Sequence, residues 1–223
     1  MTGRSGADSG AVGATPGAPS SSEVSWPDAG FLAVPPTTPQ TRAMYDGDVE
    51  TMGFVMNLSR LWAQLPEAQD QLSALLGTAA RTAGLTFRQR GILVTACAST
   101  MGDAYCSLAW GNKLAREAGA QVAGGVLRGD DDLLDDAERV LARWARRVAR
   151  DPNATTPADV QELRDVGYDD QQIFAVTLFV ALRLAFSTVN DALGALPDRE
   201  LDAEAEAPVR DAVTFGRPVG SGG

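Results

Sequence analysis

The stretch GDAYCSLAWGNKLA, residues 102–115, gathers the side chains with the most chemical reach: Cys106, Asp103 and Tyr105 just before it, and Trp110 one turn later. A thiol acts as a nucleophile or an oxidisable centre only as its thiolate. Asp103 stands where an N-cap belongs, and its carboxylate penalises a second anion nearby, while the start of a helix favours one. The two effects oppose each other, so Cys106 reads either as a reactive thiol or as a small core residue. Cys97, in ILVTACAST, reads as core. A Cys97–Cys106 disulfide across the Met101–Gly102 turn would require Cα atoms within about 7 Å. Trp110 reads as a space-filling plug or as a wall for ligand stacking. Arg183 stands alone in the apolar run IFAVTLFVALRLAFSTV. It needs a carboxylate, carbonyls or water, as a ligand anchor or in an intersubunit salt bridge.

The 223 residues contain no histidine, which excludes Ser-His-Asp triads, Cys-His pairs and histidine-bound metals. Proton transfer near neutral pH falls to a shifted carboxylate, thiol or lysine, or to water. No cofactor or metal is expected. A net charge of −10 without a long basic stretch argues against nucleic acid and acidic membrane surfaces as partners. No uninterrupted apolar run reaches the roughly 20 residues that a bilayer needs. Two cysteines make no disulfide framework, so a reducing cytoplasm is the expected location.

The side chains of residues 102–115 must be held by helices. Residues 1–22, mostly Gly, Ser, Ala and Pro, read as a disordered tail and not as a secretory signal. Residues 23–40 carry Trp26, Phe31, Leu32 and Val34 among four prolines and read as an extended arm. From residue 41 the spacing is helical: 57–65, 66–83 and a helix after Thr86, whose Gln89 completes a capping-box spacing. Further helices are expected over 104–118, 120–127 and 131–150, the last with Leu133, Leu134, Val140, Leu141, Trp144 and Val148 on one face. A short helix after Thr156 and a long buried one over 168–194 complete the body. The arginines of 139–150 read as a solvated face. The acidic, Gly-rich residues 199–223 read as a tether. The expected fold is all-α, seven or eight helices around a single core over 41–198.

Four segments in order resemble the alkylhydroperoxidase D-like (carboxymuconolactone decarboxylase) family: Gly-Phe-Val-x-Asn-Leu at 53–58, Leu-Thr-x-Arg at 85–88, the Tyr105-Cys106 pair, and Gly-x-Asp-Asp-x-x-Ile at 167–173. The resemblance covers about 45–198. It implies an all-helical bundle, trimeric or hexameric assembly, and peroxiredoxin-type chemistry on a peroxide or other small molecule. It places the family's second cysteine on Cys106, the first cysteine on Asp103, the histidine on Trp110 and the glutamate at or near Gly91. The resolving thiol and the proton relay are therefore missing, which leaves a one-cysteine peroxidase with an external reductant. The alternative is a non-catalytic or small-ligand-binding relative whose pocket Asp103, Tyr105 and Trp110 have rebuilt. Decarboxylase or lactone chemistry rests only on the family's second name.

Overall fold

A computed structural model describes residues 26–221. The segment expected to be a disordered tail lies outside them. Nine helices run from Pro39 to Leu193, and no strand occurs among the described residues. They are α1 (Pro39–Met52), α2 (Asn57–Trp62), α3 (Pro66–Thr82), α4 (Phe87–Met101), α5 (Ala104–Ala118), α6 (Ala120–Arg128), α7 (Asp136–Arg150), α8 (Pro157–Asp165) and α9 (Asp170–Leu193). Before them, Pro27–Ala29 form one 3₁₀ turn, and the chain is irregular up to Thr38, which caps α1 by accepting from Thr41 N at 3.2 Å.

Local chemistry fixes the helix ends. Thr86 Oγ1 accepts from Gln89 N at 3.1 Å while Gln89 Oε1 accepts from Thr86 N at 3.0 Å, closing the capping box at the start of α4. The α7 helix begins at Asp136 and not at 131, because Asp135 accepts from Glu138 N at 2.8 Å and so acts as the cap. Leu133 is consequently 61% exposed and lies outside the apolar face.

The central element is α4, whose Ile92, Leu93, Val94, Ala96, Cys97 and Ala98 are all buried. It packs mainly on α7 and α5, while α3 lies along α9. By length and mean hydropathy, 1.8, α9 resembles a membrane span, yet it turns Arg183, Ser187 and Asn190 inward.

Residues 199–221 correct the tether reading. They form α10 (Arg199–Glu204) and α11 (Ala207–Arg210), and bury Leu201, Ala205, Val209 and Ala212. Two glycines make room for them. A Cβ on Gly111 would lie 2.8 Å from Val209 Cγ1, and one on Gly124 would lie 2.3 Å from the carbonyl oxygen of Pro208. An acidic, exposed outer face disguised a segment with a sparse apolar inner face. The chain then runs as a strap across the start of α5, where a Cβ on Gly216 would lie 2.3 Å from the Gly102 carbonyl. Arg217 anchors it by donating twice to the Asp191 carbonyl, at 2.7 and 3.2 Å.

Candidate functional site

On a helix of 3.6 residues per turn, Asp103, Cys106, Trp110 and Lys113 share one stripe, while Tyr105 points about 100° away from Cys106. The structure follows this geometry. Asp103 caps α5 by accepting from Cys106 N at 2.8 Å. Arg183 crosses from α9 and donates from Nη2 to Cys106 Sγ at 3.3 Å. Its guanidinium also lies 5.5 Å from the Trp110 ring centroid and 4.8 Å from that of Phe186. Asp103, Cys106, Trp110 and Arg183 are thus brought together. In place of a carboxylate, Arg183 has a sulfur and two aromatic faces.

Tyr105 is not part of this group. Its hydroxyl donates to Asp198 Oδ2 and accepts from Leu58 N at 3.3 Å, and Asp198 Oδ1 accepts from Asn57 N at 2.8 Å. The expected catalytic tyrosine is an anchor between α5, α2 and the loop before α10. A separate cleft of about 160 Å³ opens beside Asp198, Arg60 and Arg199. A Cβ on Gly91 would lie 3.2 Å from Leu114 Cδ1, so a leucine occupies the space where the resemblance places a glutamate.

Cys106 is 1% exposed. Burial pushes its thiol well above the ordinary range, the Asp103 carboxylate adds to this, and Arg183 opposes it without reversing it. The surroundings are sealed but polar, since Asp103 Oδ2, Ser107 Oγ and Arg183 Nε are buried there without a protein hydrogen-bond partner. Cys97 is likewise pushed up to about 12, first by burial. Both cysteines are free. Near the strap, Asp191 is raised to about 7 by burial and by Asp103, with Arg217 pulling the other way.

Trp110 meets Arg183 of this interior and also Phe87 and Lys113, which line an open cleft of about 460 Å³. Phe87 packs on the Trp110 ring at 6.0 Å, and Lys113 Nζ lies 4.9 Å from its centroid. Met52, Met56 and Phe87 give the cleft an apolar wall; Asp48, Lys113 and Arg116 give it a charged one. Burial, then Arg183 and Arg116, lower the pKa of Lys113. Burial raises that of Asp48. The sequence reading missed Lys113, although a signal was present: it is the only lysine in the chain.

Comparison with solved structures defines the class: the chain has the alkylhydroperoxidase D-like fold. An uncharacterized peroxidase-related protein from Silicibacter sp. TM1040 matches with a TM-score of 0.68 and 20% identity over 78% of this chain and 94% of that one. An uncharacterized peroxidase-related protein from Ralstonia eutropha JMP134, described as an alkylhydroperoxidase core, matches with 0.66 and 21% over 78% and 94%. The debrominase Bmp8 matches with 0.65 and 16% over 81% and 97%, and a cysteine-to-alanine variant of it has been solved in complex with 2,3,4-tribromopyrrole. No family model and no curated protein matches the chain.

Proposed function

We propose that this chain is a small-ligand-binding protein on the alkylhydroperoxidase D-like fold, with its ligand in the cleft between α1, α4 and α5. The carrying observation is the contrast between that open cleft, lined by Lys113, Arg116, Asp48, Thr51 and three apolar side chains, and a Cys106 that is 1% exposed. Two cations on an apolar wall suit a compact, partly apolar anion, since charge orients the ligand and apolar burial supplies most of the affinity. The aromatic ligand of the debrominase, held on the same fold, supports a ligand of this kind. Benzoate is the test probe. It should raise the melting temperature of the wild type and lose that effect in Trp110→Ala; no shift at millimolar benzoate with either protein would overturn the reading.

A second reading, a one-cysteine peroxidase, is favoured by the Arg183 hydrogen bond to Sγ, because a guanidinium on sulfur stabilises the thiolate. In that chemistry the thiolate attacks a peroxide oxygen, giving a sulfenic acid and an alcohol; one external thiol condenses with it to a mixed disulfide and water, and a second releases the reduced sulfur with an external disulfide. Peroxide consumption decides between the two: equal rates for wild type and Cys106→Ser remove the peroxidase.

The protein is further proposed to act in a reducing cytoplasm as a trimer or hexamer of identical chains. The outward face of α9 supports assembly, with Phe174 71% exposed and Ala181, Ala185 and Ala192 exposed along the same helix. A monomer by light scattering at micromolar concentration would refute this part.

A further inference from the structure

Lys113 has a chemical distinction that the binding reading leaves unused. The chain has no histidine and no other lysine, and its remaining cationic side chains are arginines. Guanidinium stays protonated in proteins, and amide and indole nitrogens are poor nucleophiles, so Lys113 Nζ is the one side-chain nitrogen nucleophile in the molecule.

Its placement fits that use. The side chain is half-buried on the wall of the 460 Å³ cleft and forms no ion pair and no hydrogen bond among the described residues; its ammonium rests near the Trp110 ring. Arg116, one turn on, pairs with Glu204 through Nη1 and keeps its other N–H groups. Met52, Met56 and Phe87 complete an apolar surface beside it.

We propose that Lys113 captures small carbonyl compounds as imines, and that the preferred class is 2-oxo acids with an apolar substituent. The Nζ lone pair adds to the carbonyl carbon to give a carbinolamine. The nitrogen loses a proton and the hydroxyl leaves as water, so the C–O bond is replaced by a C=N bond with no change of oxidation state. Asp48, on the same cleft, protonates the departing hydroxyl. The carboxylate of the substrate pairs with Arg116, and its substituent lies against the methionines and Phe87.

The electrostatics support the step. Desolvation and neighbouring cations both lower the pKa of the amine, the usual route by which a lysine becomes a Schiff-base former. The groups acting on Lys113 are Arg183 from α9, Arg116 and Cys106 on α5, and Asp48 from α1; burial and the two arginines outweigh the others.

This proposal rests on the cleft being a ligand site, and its test separates the two. Full-length protein is treated with phenylglyoxylate and cyanoborohydride, and reduced adducts are mapped by peptide mass. The expected result is an adduct at Lys113 forming about tenfold faster than at the N-terminal amine, the other primary amine of the chain. Lys113→Arg should lose the internal adduct while keeping its helical melting curve, and the benzoate shift is read on the wild type. A benzoate shift without any adduct at Lys113 overturns the imine alone. Loss of both overturns the cleft reading as well.

Discussion

Along one stripe of α5, two nucleophilic side chains two turns apart meet opposite fates. Cys106 is enclosed by Asp103, Arg183 and the body of the bundle, and burial holds its sulfur in the protonated form. Lys113 borders a cleft, and burial moves its amine toward the unprotonated form. The same physical cause, desolvation of the charged form, silences the acid and activates the base. Sulfur is intrinsically the better nucleophile, so what decides reactivity is solvent access and the sign of the charge that burial disfavours. Trp110 meets both ends of the stripe, through Arg183 and through Lys113.

The largest perturbation of the comparison is Gly91→Glu, which restores the carboxylate of the family pattern. Its Cβ would press on Leu114 and its charge would be buried without a partner, so a loss of about 4 kcal/mol or more is expected in denaturant unfolding. Wild-type stability would mean that Leu114 yields the space beside Gly91. Next is Asp198→Ala, which leaves the Tyr105 hydroxyl and the Asn57 N–H without their acceptor. With each orphaned group costing about 1–3 kcal/mol, unfolding should be easier by about 3 kcal/mol, yet neither thiol alkylation nor the benzoate shift should change, because Tyr105 faces away from both ends.

Titration sharpens the contrast more gently. Asp191 is raised from 3.8 to about 7, so its neutral form is favoured by folding. Its stabilising effect is complete below pH 3.8 and disappears as pH rises through 7. Asp191→Asn should therefore flatten the fall in melting temperature between pH 4 and 7. An unchanged slope would show that neither burial nor the Asp103 carboxylate acts on Asp191. The smallest effect belongs to Cys106→Ala, at about 1 kcal/mol for lost packing, with the benzoate response intact. Loss of that response would tie the sulfur to the cleft.

Much of the fold was legible because local signals agree with tertiary ones. Pro66, the Thr86–Gln89 box, Asp103 and Gly194 mark helix ends where the sequence placed them, and the four ordered segments pointed to the fold that the solved structures share. The site was less legible. Tyr105 is adjacent to Cys106 in sequence, but adjacency on a helix turns side chains apart, and nothing local reveals Asp198 as its partner 93 residues away. Gly91 carried no sign that Leu114 would occupy the space beside it. The docking of 199–221 depended on gaps at Gly111 and Gly124, which become receptors only once the helices are assembled.

The strap over α5 lays the last stretch of the described chain against Gly102 and Ala104, on either side of the Asp103 cap. Between Val213, whose N–H reaches the Arg210 carbonyl, and Gly220, whose N–H reaches that of Pro197, it is fastened chiefly by the Arg217 side chain. A protease that nicked this strap, or a fusion partner that lifted it, would uncover the start of α5 more than a hundred positions earlier in the chain while sparing the bundle beneath. Cover for that helix start is thus detachable from the architecture that holds it.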